Sequence, residues 1–207
     1  MKKSTLQSGQ TLIETIVASS VLVVGIIGGL SLAIYSFTNI SSAATSDVAA
    51  GLAREGLEAT RRLRDSNWLA GTLADCGGYF CYQTWLTAPY DLSGSAGAGT
   101  EYRVIFDPEA TGNKWTLAAA GGLTDFRLYI QPGGEYSHTA TASPSPFFRK
   151  VAVIYASDTA PYDATSPLVL VRSTVWWIDR RCAEVADPAN TLCKIVSEAY
   201  LSNWKNY

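Results

Sequence analysis

The chain has 207 residues and a formal net charge of −2, with 47% hydrophobic and 16% charged residues. No basic cluster stands out in the sequence, which excludes the electrostatic footprint typical of nucleic-acid binding. Eleven Tyr and six Trp make the chain rich in aromatic residues, as is typical of packed β surfaces.

The first 46 residues carry the strongest signal. Lys2 and Lys3 form a short basic head, and a run without charged side chains extends from Thr15 to Ser46. Its first part is mostly Val, Ile, Leu, Gly and Ala, and about 20 such residues are enough for a helix to cross a bilayer. Glu14 stands at the entrance of this run. A carboxylate costs roughly 2.5–3.5 kcal/mol at mid-membrane and less near the edge, so we expect Glu14 to have a partner.

The segment GQTLIE at residues 9–14, behind a basic head and before an apolar helix, resembles the class III signal of type IV prepilins and pseudopilins. The resemblance implies that a membrane-bound prepilin peptidase cleaves after Gly9 and methylates the new terminal amine of Gln10. It also implies that Glu14 neutralises the terminal amine of a neighbouring subunit during assembly. The family usually has Phe at the position that Gln10 occupies here.

Three simpler interpretations of this segment compete with the resemblance. An ordinary secretory signal has an apolar core of about 7–15 residues, which is shorter than this run. A plain signal anchor, with Lys2 and Lys3 kept inside, fits the hydropathy equally well. Thr11 and Glu14 also match a T-x-x-E capping box, in which the acid serves only the first turn of a helix. An anchor has no need for a glycine directly before this segment, so we favour the prepilin interpretation.

The apolar run continues to Trp68 without a proline, which predicts one helix from about Thr11 to Asn67, roughly 85 Å long. Its second half is predicted to be amphipathic, with a buried face formed by Val48, Ala49, Leu52, Ala53, Leu57 and Leu63. On the opposite face we expect two ion pairs between residues four apart, Glu58–Arg62 and Arg61–Asp65.

Five later segments have the alternation, or the β-branched and aromatic content, of strands: Glu101–Asp107, Phe126–Gln131, Phe148–Tyr155, Leu168–Ile178 and Cys193–Leu201. Loops rich in Gly, Ser, Ala and Pro are predicted at residues 93–100, 119–122 and 133–146, and a turn is predicted before Trp115. A long helix packed on an antiparallel sheet belongs to the α+β class. It is also the architecture that the pilin resemblance implies.

Further motifs resemble minor pilins of the kind that prime assembly. They are the end of the long helix with Arg64, Asp65 and Trp68, the FRKV segment at residues 148–151, and the YLSNW segment at residues 200–204. Each residue taken singly is also explained by fold-building: Trp68 and Trp204 as core aromatics, Arg64–Asp65 as a pair near the helix end. We favour that explanation for the single residues.

Four cysteines fall into two close pairs. In an exported domain an even number indicates disulfides, although four cysteines allow three connectivities. Local pairing is the simplest, Cys76 with Cys81 and Cys182 with Cys193, and the second bond would hold the last two strands together. A zinc site is disfavoured because the spacings are not a double C-x-x-C and the sole histidine, His138, falls in a predicted loop. The sequence therefore predicts no metal.

The single histidine also argues against a Ser–His or Cys–His catalytic pair, and no Gly-rich segment carries the Lys of a phosphate-binding loop. We therefore expect neither enzymatic activity nor a cofactor. The predicted organisation is a cleaved leader at residues 1–9, a transmembrane and assembly segment at residues 10–46, and an extracytoplasmic pilin-like α+β domain at residues 47–207.

The resemblance implies a structural subunit, a minor pilin or pseudopilin, of a type IV pilus or a type II secretion pseudopilus. Its implied partners are the prepilin peptidase, other pilin subunits, the inner-membrane assembly platform and the lipid bilayer, with no nucleic acid indicated. Such a subunit is a single-pass inner-membrane protein before assembly and part of a surface pilus or pseudopilus afterwards. The alternative is a membrane-anchored or fibre-tip binding module for adhesion or for capture of sugar or DNA.

Overall fold

In a computed structural model of the chain, the described residues are 8–70, 83, 85–140, 143–157, 168–179, 182, 188 and 191–203, with side chains from residue 11 onward. The chain divides into two compact units, Met1–Ser46 and Asp47–Tyr207. The described part of the first is a stretch of helix, and the second is an α+β domain.

Helix α1 runs from Ser8 to Leu69, which confirms the predicted long helix within a few residues at each end. Within the second unit its buried face follows the predicted helical spacing, with Ala49, Leu52, Ala53, Leu57 and Leu63 all at most 7% exposed. Val48 is an exception to the predicted face because it is 39% exposed. The helix therefore packs on the sheet by one apolar stripe, as expected for an amphipathic helix.

The two ion pairs predicted on the outer face of α1 are wrong in their partners. Arg61 pairs with Glu58, three residues away, and Arg64 Nη2 lies 2.9 Å from Asp65 Oδ1. The second contact is the pair that fold-building predicted near the helix end. Exposed pairs of this kind contribute little, about 0–1 kcal/mol, so the exchange of partners hardly alters the helix.

Seven strands of the described residues form one sheet: β1 Thr100–Phe106, β2 Trp115–Ala119, β3 Arg127–Ile130, β4 Tyr136–Ser137, β5 Pro144–Ser157, β6 Leu168–Trp177 and β7 Lys194–Leu201. A short 3-10 helix, Leu123–Phe126, precedes β3. All of these strands pair in antiparallel fashion. The five predicted strands are confirmed, and β2 and β4 are additional.

The long strand β5 organises the sheet. One of its edges pairs with β6 over nearly its whole length, and β6 in turn pairs with β7. Its other edge is shared, because its first half pairs with β3 and residues 151–153 pair with β1. The β1–β2 and β3–β4 hairpins therefore lie beside each other along the same edge of β5.

The core lies between α1 and the sheet. Leu57 and Leu63 of the helix belong to one cluster with Val151, Val153 and Val171 of the central strands. A second cluster joins Ala49, Leu52 and Ala53 of α1 to residues of β3, β5 and β6. Trp68, predicted as a core aromatic, is 5% exposed, which confirms that prediction. Trp204 lies outside the described residues.

The end of α1 is tied to the segment that precedes β1 by a buried asparagine. Asn67 is fully buried, its Nδ2 donates to the carbonyls of Trp85 and Tyr90 at 2.7 Å, and its Oδ1 accepts from Tyr90 N at 2.9 Å. One side chain at the helix end thus satisfies three backbone groups of the segment that precedes β1.

Helix and sheet approach each other closely at Gly56. A Cβ added there would lie 2.5 Å from Ser173 Oγ and 3.1 Å from Val151 Cγ2. The Ser173 hydroxyl is buried and has no hydrogen-bond partner among the described residues. Gly56 is therefore needed for the spacing of helix and sheet, although glycine weakens a helix by about 1 kcal/mol relative to alanine.

We expect Gly56→Ala to lower the free energy of unfolding by about 1–3 kcal/mol, because overpacking outweighs the gain in helix propensity. Gly51→Ala is the matched control: Gly51 lies in the same helix, is exposed, and has no atom within 4 Å of an added Cβ. That variant is expected to gain up to about 1 kcal/mol. Denaturant unfolding measures both, and equal stabilisation by the two substitutions would contradict the close approach.

Candidate functional site

The helix of the first unit has an apolar surface that is exposed within that unit. Every side chain at residues 11–41 is exposed, and the helix is long and apolar enough to span a membrane. A helix apolar on all sides is typical of a membrane span or of a segment buried by other subunits.

Four hydroxyl side chains in this segment are satisfied within the helix. The hydroxyls of Thr15, Ser19, Ser20 and Thr38 each donate to the carbonyl three residues earlier, at 2.8–2.9 Å. Such internal bonds lower the cost of placing a hydroxyl in hydrocarbon, where an unsatisfied polar group costs several kcal/mol. These polar residues are therefore compatible with a membrane environment.

Glu14 differs from these hydroxyls. Among the described residues its carboxylate has neither a hydrogen-bond partner nor an ion-pair partner, and it lies between the exposed apolar side chains of Ile13 and Val17. An unpaired carboxylate is the costly element of an otherwise apolar helix. A cation from outside this part of the chain would offset that cost.

Gly9 and Gln10 lie in the first turn of α1, one helical turn before Glu14. Because the helix begins at Ser8, Thr11 lies inside it, and the T-x-x-E sequence is not at its first residue. A capping box requires its threonine at the N-cap. The position of Thr11 therefore weighs against that interpretation of Glu14 in the uncleaved chain.

In the second unit an ion pair between a buried arginine and a partly exposed glutamate joins α1 to the sheet. Arg149 of β5 is only 1% exposed, and its Nη1 lies 2.8 Å from Glu55 Oε1. Two carbonyls, of Leu52 and Val104, accept weaker bonds from the same guanidinium at 3.4 Å. In the sequence Arg149 stands out only as part of the FRKV segment, because nothing in the sequence indicates which charged residue of a strand faces the helix.

His138, predicted in a loop, lies in a bend directly after strand β4, and its side chain is buried. It is 6% exposed, and its Nδ1 lies 3.2 Å from the backbone oxygen of Arg127. Burial, followed by the positive charges of Arg149 and Arg103, lowers the pKa of His138 to about 3. The loop prediction for this residue is confirmed, because His138 lies in a bend after β4, but its side chain is buried and the imidazole is neutral near pH 7.

Cys182 and Cys193 form a disulfide with a Cα–Cα distance of 6.2 Å. The bond predicted to link the last two strands is therefore present, between the segment after β6 and the residue before β7. The predicted pair Cys76–Cys81 lies outside the described residues. Within the described ranges, no group of three or more His, Cys, Asp or Glu side chains could hold a metal ion.

Comparisons with known protein families, with curated proteins and with solved structures found no match.

Proposed function

We propose that the chain is a structural subunit, a minor pilin or pseudopilin, that enters a type IV pilus or a type II secretion pseudopilus through helix α1. In this proposal a prepilin peptidase cleaves after Gly9 and methylates Gln10, and the subunit waits in the inner membrane until the assembly platform adds it to the fibre. The prepilin-like segment at residues 9–14 and the pilin-like α+β layout support the proposal.

The observation that carries the proposal is the combination of an exposed apolar helix with a single unpaired carboxylate. A membrane anchor alone requires the apolar surface but gains nothing from Glu14, because a carboxylate opposes insertion. Packing against other subunits explains both features. Neighbouring helices would cover the apolar surface, and the terminal amine of one of them would pair with Glu14 in a medium where such a pair is strong.

The test is Glu14→Ala in the full chain, expressed in cells that assemble the fibres. We expect insertion into the membrane and cleavage to persist, and the amount of subunit in sheared surface fibres to fall at least roughly tenfold, equivalent to about 1.4 kcal/mol. Immunoblots of membrane and fibre fractions give the amounts. Intact mass of the wild-type fibre subunit should show a chain that begins at N-methylated Gln10.

Thr11→Ala is the matched control, because it removes the other member of the T-x-x-E sequence and keeps the carboxylate. If Glu14 served only a capping box, the two variants would lose about the same helix stability, roughly 1 kcal/mol, and both would assemble. Fibres that contain Glu14→Ala at the wild-type level would contradict the assembly role. Wild-type subunits that keep Met1 in surface fibres would contradict cleavage and favour an anchored receptor.

A further inference from the structure

The α+β domain contains a cleft of about 720 Å³ that the proposed assembly function does not use. It lies where the end of β1 and the start of β2 face the β3–β4 hairpin, with Glu55 of α1 also in its lining. Pockets of about 300–1,000 Å³ are the usual size for small ligands. The cleft is thus large enough for a compact organic group.

The aromatic side chains of Phe106, Trp115 and Tyr136 line the cleft, and each of them packs against another aromatic ring. Phe106 and Trp115 are cross-strand partners in β1 and β2, and their ring centroids are 4.8 Å apart. The ring of Tyr136 packs edge-on against buried Phe147, at 5.7 Å and 86°. Because each ring is already packed in the free protein, these faces need little reorganisation to receive a ligand.

The charged side chains that line the cleft are all acidic: Glu55, Asp107 and Glu135. Glu55 is balanced by Arg149, and Asp107 Oδ1 accepts a hydrogen bond from the backbone nitrogen of Glu109 at 2.9 Å. Glu135 has no side-chain hydrogen bond or ion pair among the described residues. No Lys, Arg or His belongs to the described lining, so the cleft has negative charge that the domain does not neutralise there.

We propose that this cleft binds an organic cation, an ammonium or guanidinium group on an apolar stem. Aromatic faces attract such cations through their negative quadrupoles, and the carboxylates of Asp107 and Glu135 add charge complementarity in a concave site. A polyanion such as DNA would be repelled by the same carboxylates. The inference does not depend on fibre assembly, so either proposal can fail without the other.

The experiment titrates the detergent-solubilised full chain with four probes and follows binding by saturation-transfer NMR. N-acetyl-arginine methylamide carries a guanidinium, and N-acetyl-citrulline methylamide is its neutral counterpart of nearly the same shape. Choline represents a free quaternary ammonium ion, and glucose represents a neutral sugar. We expect at least one of the two cations to bind and both neutral probes to bind at least about tenfold more weakly.

Glu135→Gln should weaken cation binding about three- to tenfold, because it removes an uncompensated carboxylate from the cleft. Glu109→Gln is the matched control. It removes an exposed acid that directly follows the lining residue Pro108 but does not itself line the cleft, so it should leave cation binding unchanged. Both substitutions lie in exposed turns, so neither is expected to unfold the domain.

Binding of the arginine probe alone would identify a basic side chain of another polypeptide as the source of the cation. Binding of choline alone would identify a small ammonium compound as the source of the cation. Binding of both cations would support recognition of organic cations in general. The proposal is overturned if neither cation binds at 10 mM, on the order of the weakest small-ligand affinities. Equal binding of the arginine and citrulline probes, stronger binding of glucose, or equal losses in Glu135→Gln and Glu109→Gln would also overturn it.

Discussion

Replacing Glu55 by Ala is expected to lower the free energy of unfolding of the α+β domain by about 3 kcal/mol. The substitution leaves the Arg149 guanidinium 1% exposed and without a carboxylate, held only by two carbonyls at 3.4 Å. An uncompensated buried charge is among the most costly single changes in a protein. Denaturant unfolding followed by Trp fluorescence measures the loss, since all six Trp lie beyond residue 67.

Removing the other partner of the ion pair, Arg149, should lower the free energy of unfolding much less. Arg149→Met keeps most of the apolar stem in the core, and the Glu55 side chain that it leaves behind is 37% exposed and can be rehydrated. We therefore expect Arg149→Met to lower the free energy of unfolding by about 1 kcal/mol. The double variant Glu55→Ala/Arg149→Met should be more stable than Glu55→Ala alone. A single charge removal thus gives an asymmetric result that depends on which partner is buried.

The exposed pair Arg172–Glu198 provides the control for this experiment. Its Nε–Oε1 distance is 2.5 Å, but its side chains are 42% and 45% exposed, so Glu198→Ala should cost less than about 1 kcal/mol. If Glu55→Ala cost no more than Glu198→Ala, the burial of Arg149 would not matter to stability. A double variant no more stable than Glu55→Ala would contradict the role assigned to the unpaired guanidinium.

Elements with a strong period in sequence could be predicted from sequence alone. Helix α1 and the long strands β5, β6 and β7 have apolar residues at regular spacing over seven or more positions, and each matches its prediction within a few residues. The exception inside β5 is its start, because residues 144–146, with Pro144 and Pro146, fall in the loop predicted at residues 133–146. Both prolines are accommodated in the first part of the strand, before its regular pairing with β6 begins at Phe147.

Short strands formed by distant partners could not be predicted. β2 has five residues and β4 only two, and each exists because a neighbouring strand offers backbone partners. The partners of Arg149 and His138 could not be predicted for the same reason. Whether a polar side chain enters the core depends on which strand covers it, which is decided by pairing between β3, β4 and β5 and not by local composition.

In the candidate assembly segment, residues 10–46, most features could be predicted from the sequence. Its apolar run and the position of Glu14 are explicit in the sequence, and helix α1 adds the finding that Thr15, Ser19 and Ser20 satisfy their hydroxyls locally. Among the described residues Glu14 has no ion-pair or hydrogen-bond partner, so its pairing with a neighbouring subunit stays a prediction. The cleft was missed because its aromatic and acidic residues are distant in sequence and converge only through the two hairpins.

The domain should lose stability on acidification well before its carboxylates are protonated, because His138 is buried in neutral form. The pKa of His138 is about 3 in the folded protein, and that of an unfolded histidine is about 6.5. Between these two values the unfolded chain binds the proton and the folded chain does not. The contribution of His138 is therefore complete above about pH 6.5 and declines by up to about 1.4 kcal/mol per pH unit as the pH falls.

From pH 7.5 to pH 4.5 this one group should remove roughly 2–3 kcal/mol of unfolding free energy, measured by urea unfolding at a series of pH values. His138→Asn is the control, because its amide can donate to the Arg127 carbonyl in place of Nδ1 and does not titrate. We expect this variant to be less stable than wild type at pH 7.5 but to lose less stability on acidification. Since both proteins share all their carboxylates, the difference between their pH profiles isolates His138. Parallel profiles from pH 7.5 to 4.5 would contradict the burial of a neutral imidazole beside Arg103 and Arg149.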